Sequence, residues 1–166
     1  MSDLSLSAAS EVPSPRLAGS WERLGLLPIE RVPMWAAYWI VGGHDGGALA
    51  RFAGLHGDDP REVHDALPDT LRDCGVEMPD SDVAAGTVAF THAARLYVAG
   101  QAGPEWVLNQ VEQIVAGSDY EVTDLPLGGL YLVADEWGAG WGRSNEELAQ
   151  VVREACEEQL RTGSAA

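Results

Sequence analysis

The sequence contains no lysine: all ten of its basic residues are arginine. A Walker A phosphate loop, the phosphate-pairing residue of protein kinases and a Schiff-base enzyme each depend on a lysine amine at the reacting centre, so these three classes are excluded. Isoleucine and asparagine are nearly as scarce, at three and two residues against 23 alanines and 19 glycines, a bias that a GC-rich coding sequence accounts for. Only two cysteines occur, Cys74 and Cys156, far apart and outside any CxxC pattern. That spacing rules out a zinc ribbon or a thioredoxin-type dithiol and leaves a single disulfide open. The longest apolar run, residues 32–41, is about half the length a bilayer requires, and no signal-peptide pattern opens the chain. A cytoplasmic protein is expected.

What is present is acid. Against the ten arginines stand 26 aspartates and glutamates, a net charge of −16 over 166 residues, of which 46% are hydrophobic. Such a chain is long enough to bury its own core without staples. A surface this negative repels phosphate backbones and anionic headgroups and attracts basic proteins. Direct nucleic-acid binding and membrane association are therefore disfavoured, and a basic protein partner is favoured.

Helix signals dominate the chain, and the fold expected is mostly α: a single compact domain of about six helices over residues 21–161. Residues 1–20, rich in serine, read as a disordered N-terminal tail, and residues 162–166 as a C-terminal tail. Pro33 suits a first turn, and Met34 to Val41 is apolar on every side, as in a buried helix. A further helix is expected over 48–55. Asp59-Pro60-Arg61-Glu62 combines an N-cap acid with proline at N1, and Val63, Leu67, Leu71 and Cys74 follow on one face. Pro68 is expected to kink or split this helix. Others are expected from Ser81 or Asp82 to Gly100, from Pro104 to Gly117, and after Ser144-Asn145-Glu146-Glu147, which has the form of a capping box. Residues 120–134 are the exception: Tyr120–Thr123 and Leu130–Ala134 are spaced for a minor β-hairpin.

Two constellations point to recognition. Between His56 and Asp82 lie nine acids and two arginines, and Glu62, Asp65, Asp69 and Asp73 fall at i, i+3, i+7 and i+11, opposite the apolar stripe. Together with Asp58 this carboxylate face is a candidate surface for a basic partner. The second is Asp135–Arg143, where Trp137 and Trp141 sit on a glycine-rich connection; rigid aromatics on a permissive backbone make binding anchors, or plug a core. The leading expectation is a non-enzymatic interaction protein, of inhibitor, immunity or adaptor type, that needs no cofactor.

Two alternatives stand beside it. His44-Asp45, His56 and His64 could share a divalent metal in a hydrolase, similar in kind to the histidine–aspartate pair of helical metal phosphohydrolases. However, His64 and Asp65 are about 100° apart on a helix and do not face one ion. A small-ligand binder would use the Trp137–Trp141 loop with Trp35, Tyr38 and Trp39. The loop Gly42–Gly47 could also cradle an anion at a helix start, although no base lies nearby before Arg51. Nucleophile motifs are missing, and no catalytic residue is assigned. The aromatic surplus leaves room for a homodimer interface.

Overall fold

The computed structural model describes residues 12–164. Among these the chain is mostly helical, with seven α-helices joined by turns and 3-10 segments and no strand. They group into two compact units, residues 12–81 and residues 82–164.

The first unit begins with α1 (Pro15–Arg23), inside the stretch read as a tail. Ser14 accepts the amide of Leu17 at 3.2 Å and Pro15 occupies the first turn, so Ser14-Pro15 is a cap and not a linker. Leu17 and Ala18 are buried, and Gly19 lets α1 close on Leu71. The rest of the expected tail, residues 1–11, lies outside the described residues. A 3-10 turn (Ile29–Arg31) leads into α2 (Val32–Val41), followed by α3 (Gly47–Ala53) and α4 (Pro60–Asp73). Asp59 caps α4 by accepting the amides of Arg61 and Glu62, at 3.1 and 3.4 Å. Pro68 does not split α4, which continues through it. The core joins Val32, Trp35 and Trp39 of α2 to Leu49 and Phe52 of α3 and to Val63, Leu67 and Leu71 of α4. Helix α2 is therefore not buried all round, since Met34, Tyr38, Ile40 and Val41 face solvent.

The second unit packs α5 (Asp82–Val98), α6 (Pro104–Gly117) and α7 (Asn145–Ser164) together. Alanines at 85, 89 and 93 of α5 are buried, and a Cβ on Gly163 of α7 would collide with Thr91 Oγ1, so small residues allow close helix approach. Phe90, Leu108, Val111, Ile114, Leu148 and Val152 fill the space between. Gln159 is fully buried; its Oε1 accepts the Leu127 amide at 3.4 Å and its Nε2 donates to Thr91 Oγ1 at 3.5 Å. Helix α7 runs through residues 162–164, which were expected to be a tail. Ser144 accepts the Glu147 amide at 3.2 Å, as the capping box requires.

No hairpin forms over 120–134. The amides of Leu125, Gly129, Leu130 and Tyr131 bond to carbonyls three or four residues back, leaving none of these for a ladder, and 3-10 turns form at Gly128–Leu130 and Val133–Glu136. Gly128 sits so tightly against the Val122 carbonyl that a Cβ would collide with its oxygen. Both cysteines are free and buried, and burial pushes the Cys156 thiol up to about 12. No helix among the described residues is long and apolar enough to cross a membrane.

Candidate functional site

The carboxylate face divides into members that point outward and one that does not. Asp58, Glu62, Asp65 and Asp69 are exposed. Asp65 lies 3.9 Å from Arg61, one turn earlier, and Asp69 Oδ1 accepts from Arg72 Nη1 at 2.6 Å, so two of the four already have arginine neighbours. Asp73 turns inward, where its Oδ2 accepts the Leu49 amide at 3.0 Å and holds the start of α3. It belongs to the scaffold, not to a partner surface. The same contact disposes of the anion cradle, because the chain's own carboxylate occupies the first turn of α3. A Cβ on Gly46 would collide with the Asp73 carboxylate, and this close approach explains the glycine.

The histidines do not converge. Among the described residues no three His, Cys, Asp or Glu side chains are placed to hold one metal ion, so His44, Asp45, His56 and His64 do not form the ligand set that the hydrolase reading needs. Helical spacing is the reason: His64 turns toward α1 and places Nδ1 2.5 Å from Glu22 Oε1, while Asp65 turns toward Arg61. The other oxygen of Glu22 is buried without a hydrogen-bond partner. The Glu22–His64 pair spans 42 positions, and no local pattern announces it. Trp35 and Trp39 also lie in the core, with Trp39 Nε1 donating to the Pro13 carbonyl at 2.9 Å, and so are not open to a ligand.

The tryptophan loop is the most constructed feature of the surface. Gly138, Gly140 and Gly142 all have positive φ, at 70°, 78° and 71°, a conformation that favours glycine at every second position. At the base Glu136 accepts from Arg143 three times: Oε2 from the backbone amide at 3.2 Å and from Nε at 3.1 Å, Oε1 from Nη2 at 2.8 Å. Asn145 Oδ1 accepts the Gly138 amide at 3.1 Å and ties the other side. The Arg143 hydrogen bonds hold the Glu136 carboxyl below its ordinary range and push the guanidinium up. On this closed loop Trp141 is 62% exposed, while Trp137 is half-buried. A core plug is thus the wrong description of Trp141.

In the same unit Tyr120 and Tyr131 meet edge to face, with ring centroids 5.5 Å apart and hydroxyls 3.3 Å apart. The bond to Tyr120, reinforced by the carboxylates of Glu112 and Asp135, pushes the Tyr131 phenol up. Asp119 and Tyr120 are non-glycine residues with positive φ, at 51° and 66°. Sequence reading missed this pair because it treated both tyrosines as strand residues. It also missed the Glu136–Arg143 clasp, although opposite charges bracketing a glycine-rich stretch are a legible sign. No family model matches the chain, and neither a curated protein nor a solved structure does.

Proposed function

We propose that this chain is a non-enzymatic binding protein, of inhibitor, immunity or adaptor type, that engages a basic protein surface. The observation that carries the reading is Trp141, a large aromatic left exposed on a glycine-rich loop that the three Glu136–Arg143 hydrogen bonds close at its base. Pre-organisation of this kind reduces the ordering cost of binding, and buried tryptophans dominate interface energies. The charge of −16 adds attraction at long range, which does not require the acids to share a surface with Trp141. Asp58, Glu62, Asp65 and Asp69 contribute to that attraction, with Trp137 supporting the loop.

The test is parallel affinity capture from the source cell on immobilised wild-type protein and on Trp141→Ala. A basic protein retained by the wild type, lost from W141A and released by salt supports the reading. Equal recovery on both baits overturns it. The chain is further read as cytoplasmic, in keeping with two free, buried cysteines. The described residues, 12–164, are read as one cooperative domain, because each compact unit is small for a single core. One calorimetric transition supports that, whereas two separate transitions make them two domains.

A further inference from the structure

The geometry points to a binding site for an arginine side chain, formed by Tyr120 and Tyr131 with the carboxylates of Glu112 and Asp135. It rests on the reading above for its carrier, the basic partner, but stands on different side chains from Trp141 and its clasp.

Tyr120 is fixed in a conformation that burial alone does not account for. It and Asp119 before it have positive φ, at 66° and 51°, a region that side chains rarely adopt. Hydrogen bonds hold the backbone on both sides: the Tyr120 amide donates to the Val115 carbonyl at 3.0 Å, and its carbonyl accepts from Thr123 Oγ1 at 3.2 Å. Yet the side chain placed in this way is 53% exposed. The result is a corner, because the ring stands at 88° to that of Tyr131 and the two hydroxyls meet at 3.3 Å. An edge-to-face contact covers one ring face and leaves the others of the pair open to a third group.

Charge and ring chemistry select the occupant. The faces of aromatic rings are negative and attract cations. The charges acting on the Tyr131 phenol are the carboxylates of Glu112, on α6, and of Asp135, on the 3-10 turn that packs against α6. Both carboxylate residues are exposed, and Asp119 and Glu121 flank Tyr120 in the chain. Arg143, Arg153 and Arg161 of the same unit are engaged elsewhere, with Glu136, the Tyr97 ring and Glu158. A guanidinium suits this corner better than an ammonium, since it is flat and weakly hydrated and stacks on a ring while its N–H groups reach a carboxylate. The molecule makes the same contact internally, where the Arg153 guanidinium lies 5.3 Å from the centroid of the Tyr97 ring.

Ring-proton NMR on the full chain tests this, with N-acetylarginine amide as the probe. The resonances of Tyr120 and Tyr131 are expected to shift along a saturable curve, while those of Tyr38, exposed in the other unit, stay in place. The lysine analogue blocked in the same way is expected to bind more weakly, and so is free arginine, whose own carboxylate meets Glu112 and Asp135. Tyr120→Asn removes a ring at a position whose positive φ asparagine tolerates; followed at Tyr131, it is expected to weaken binding about two- to fivefold, the range of an exposed cation–π contact. Glu112→Gln with Asp135→Asn, at exposed positions where folding is not at stake, is expected to weaken it to a similar degree. Equal shifts at Tyr38, equal affinity for the lysine probe, tighter binding of free arginine, or full affinity in either variant overturns the proposal. The probe brings no partner protein with it, so its failure strikes this proposal alone, whereas equal capture on wild type and W141A strikes the earlier reading and not the corner.

Discussion

Single side chains separate scaffold from surface along the acidic stretch. Asp73 and Asp69 are four residues apart on the same helix, yet one is an inward-turned hydrogen-bond acceptor for α3 and the other an exposed ion-pair member. Removing a side-chain acceptor from the first turn of a helix costs about 1 kcal/mol. Exposed pairs contribute little, with substitution effects within about 0.5 kcal/mol. Asp73→Ala is therefore expected to lower unfolding stability by about 1 kcal/mol in urea titration, and Asp65→Ala and Asp69→Ala to change it by less than half of that. Equal effects at all three positions would show that Asp73 does not hold α3. At Glu136 the sign of the pH dependence follows from a lowered carboxyl. A group whose folded pKa is depressed adds stability that is present above its unfolded pKa, about 4.3, and is lost as pH falls through the folded value. The loop is expected to keep its shape at about pH 5 and to open at acid pH below the ordinary carboxylate range. Trp141 fluorescence anisotropy reports this, and Glu136→Gln removes the acid transition.

At the scale of elements, most helices were legible because capping chemistry and apolar period agreed. Asp59-Pro60 starts α4, Pro104 starts α6 and Ser144 caps α7, each backed by an apolar stripe on the following residues. The failures share a cause, in that tertiary contacts outvoted local composition. Ser14-Pro15 reads as tail because residues 1–20 are rich in serine and hold few large apolar side chains, whereas α1 packs on α4. Tyr120–Thr123 and Leu130–Ala134 are spaced for a hairpin around Gly128-Gly129, but Gly128 pressed against Val122 commits the backbone to turns. The acidic face was visible in the sequence; the inward turn of Asp73 and the Glu22–His64 pair were not, since both depend on partners 24 and 42 positions away. Pro68 supplies the prediction at this scale. Helix α4 continues through a residue that has no amide to donate to the His64 carbonyl, and whose ring crowds that turn. Proline also restricts the unfolded chain, which offsets part of the cost. Pro68→Ala is expected to raise stability by about 1–2 kcal/mol in chemical denaturation, with an unchanged denaturant slope. A loss of stability would mean that the ring is a packing element of the unit.

For the whole molecule, the distribution of charge matters more than the concentrated stretch that first draws attention. Residues 12–81 hold eleven acids against six arginines, a net of −5, with Arg61 and Arg72 beside the acidic face itself. Residues 82–164 hold thirteen acids against four arginines, a net of −9, and contain Trp141. If a basic partner is steered to the tryptophan loop, the second unit should dominate the steering. Steering acts on the association rate and is screened as the Debye length shrinks from about 10 Å at 0.1 M salt to about 3 Å at 1 M. An anchor buried at the centre of a contact acts mainly on the dissociation rate. Surface plasmon resonance with the captured partner is therefore expected to show an association rate that falls about tenfold or more between low and high salt. Glu146→Gln with Glu147→Gln should lower that rate more than Asp65→Asn with Asp69→Asn, while Trp141→Ala should speed dissociation and leave the salt dependence of association intact. If the aspartate pair proves the more sensitive, the partner approaches the α4 face, and Trp141 is not where it docks.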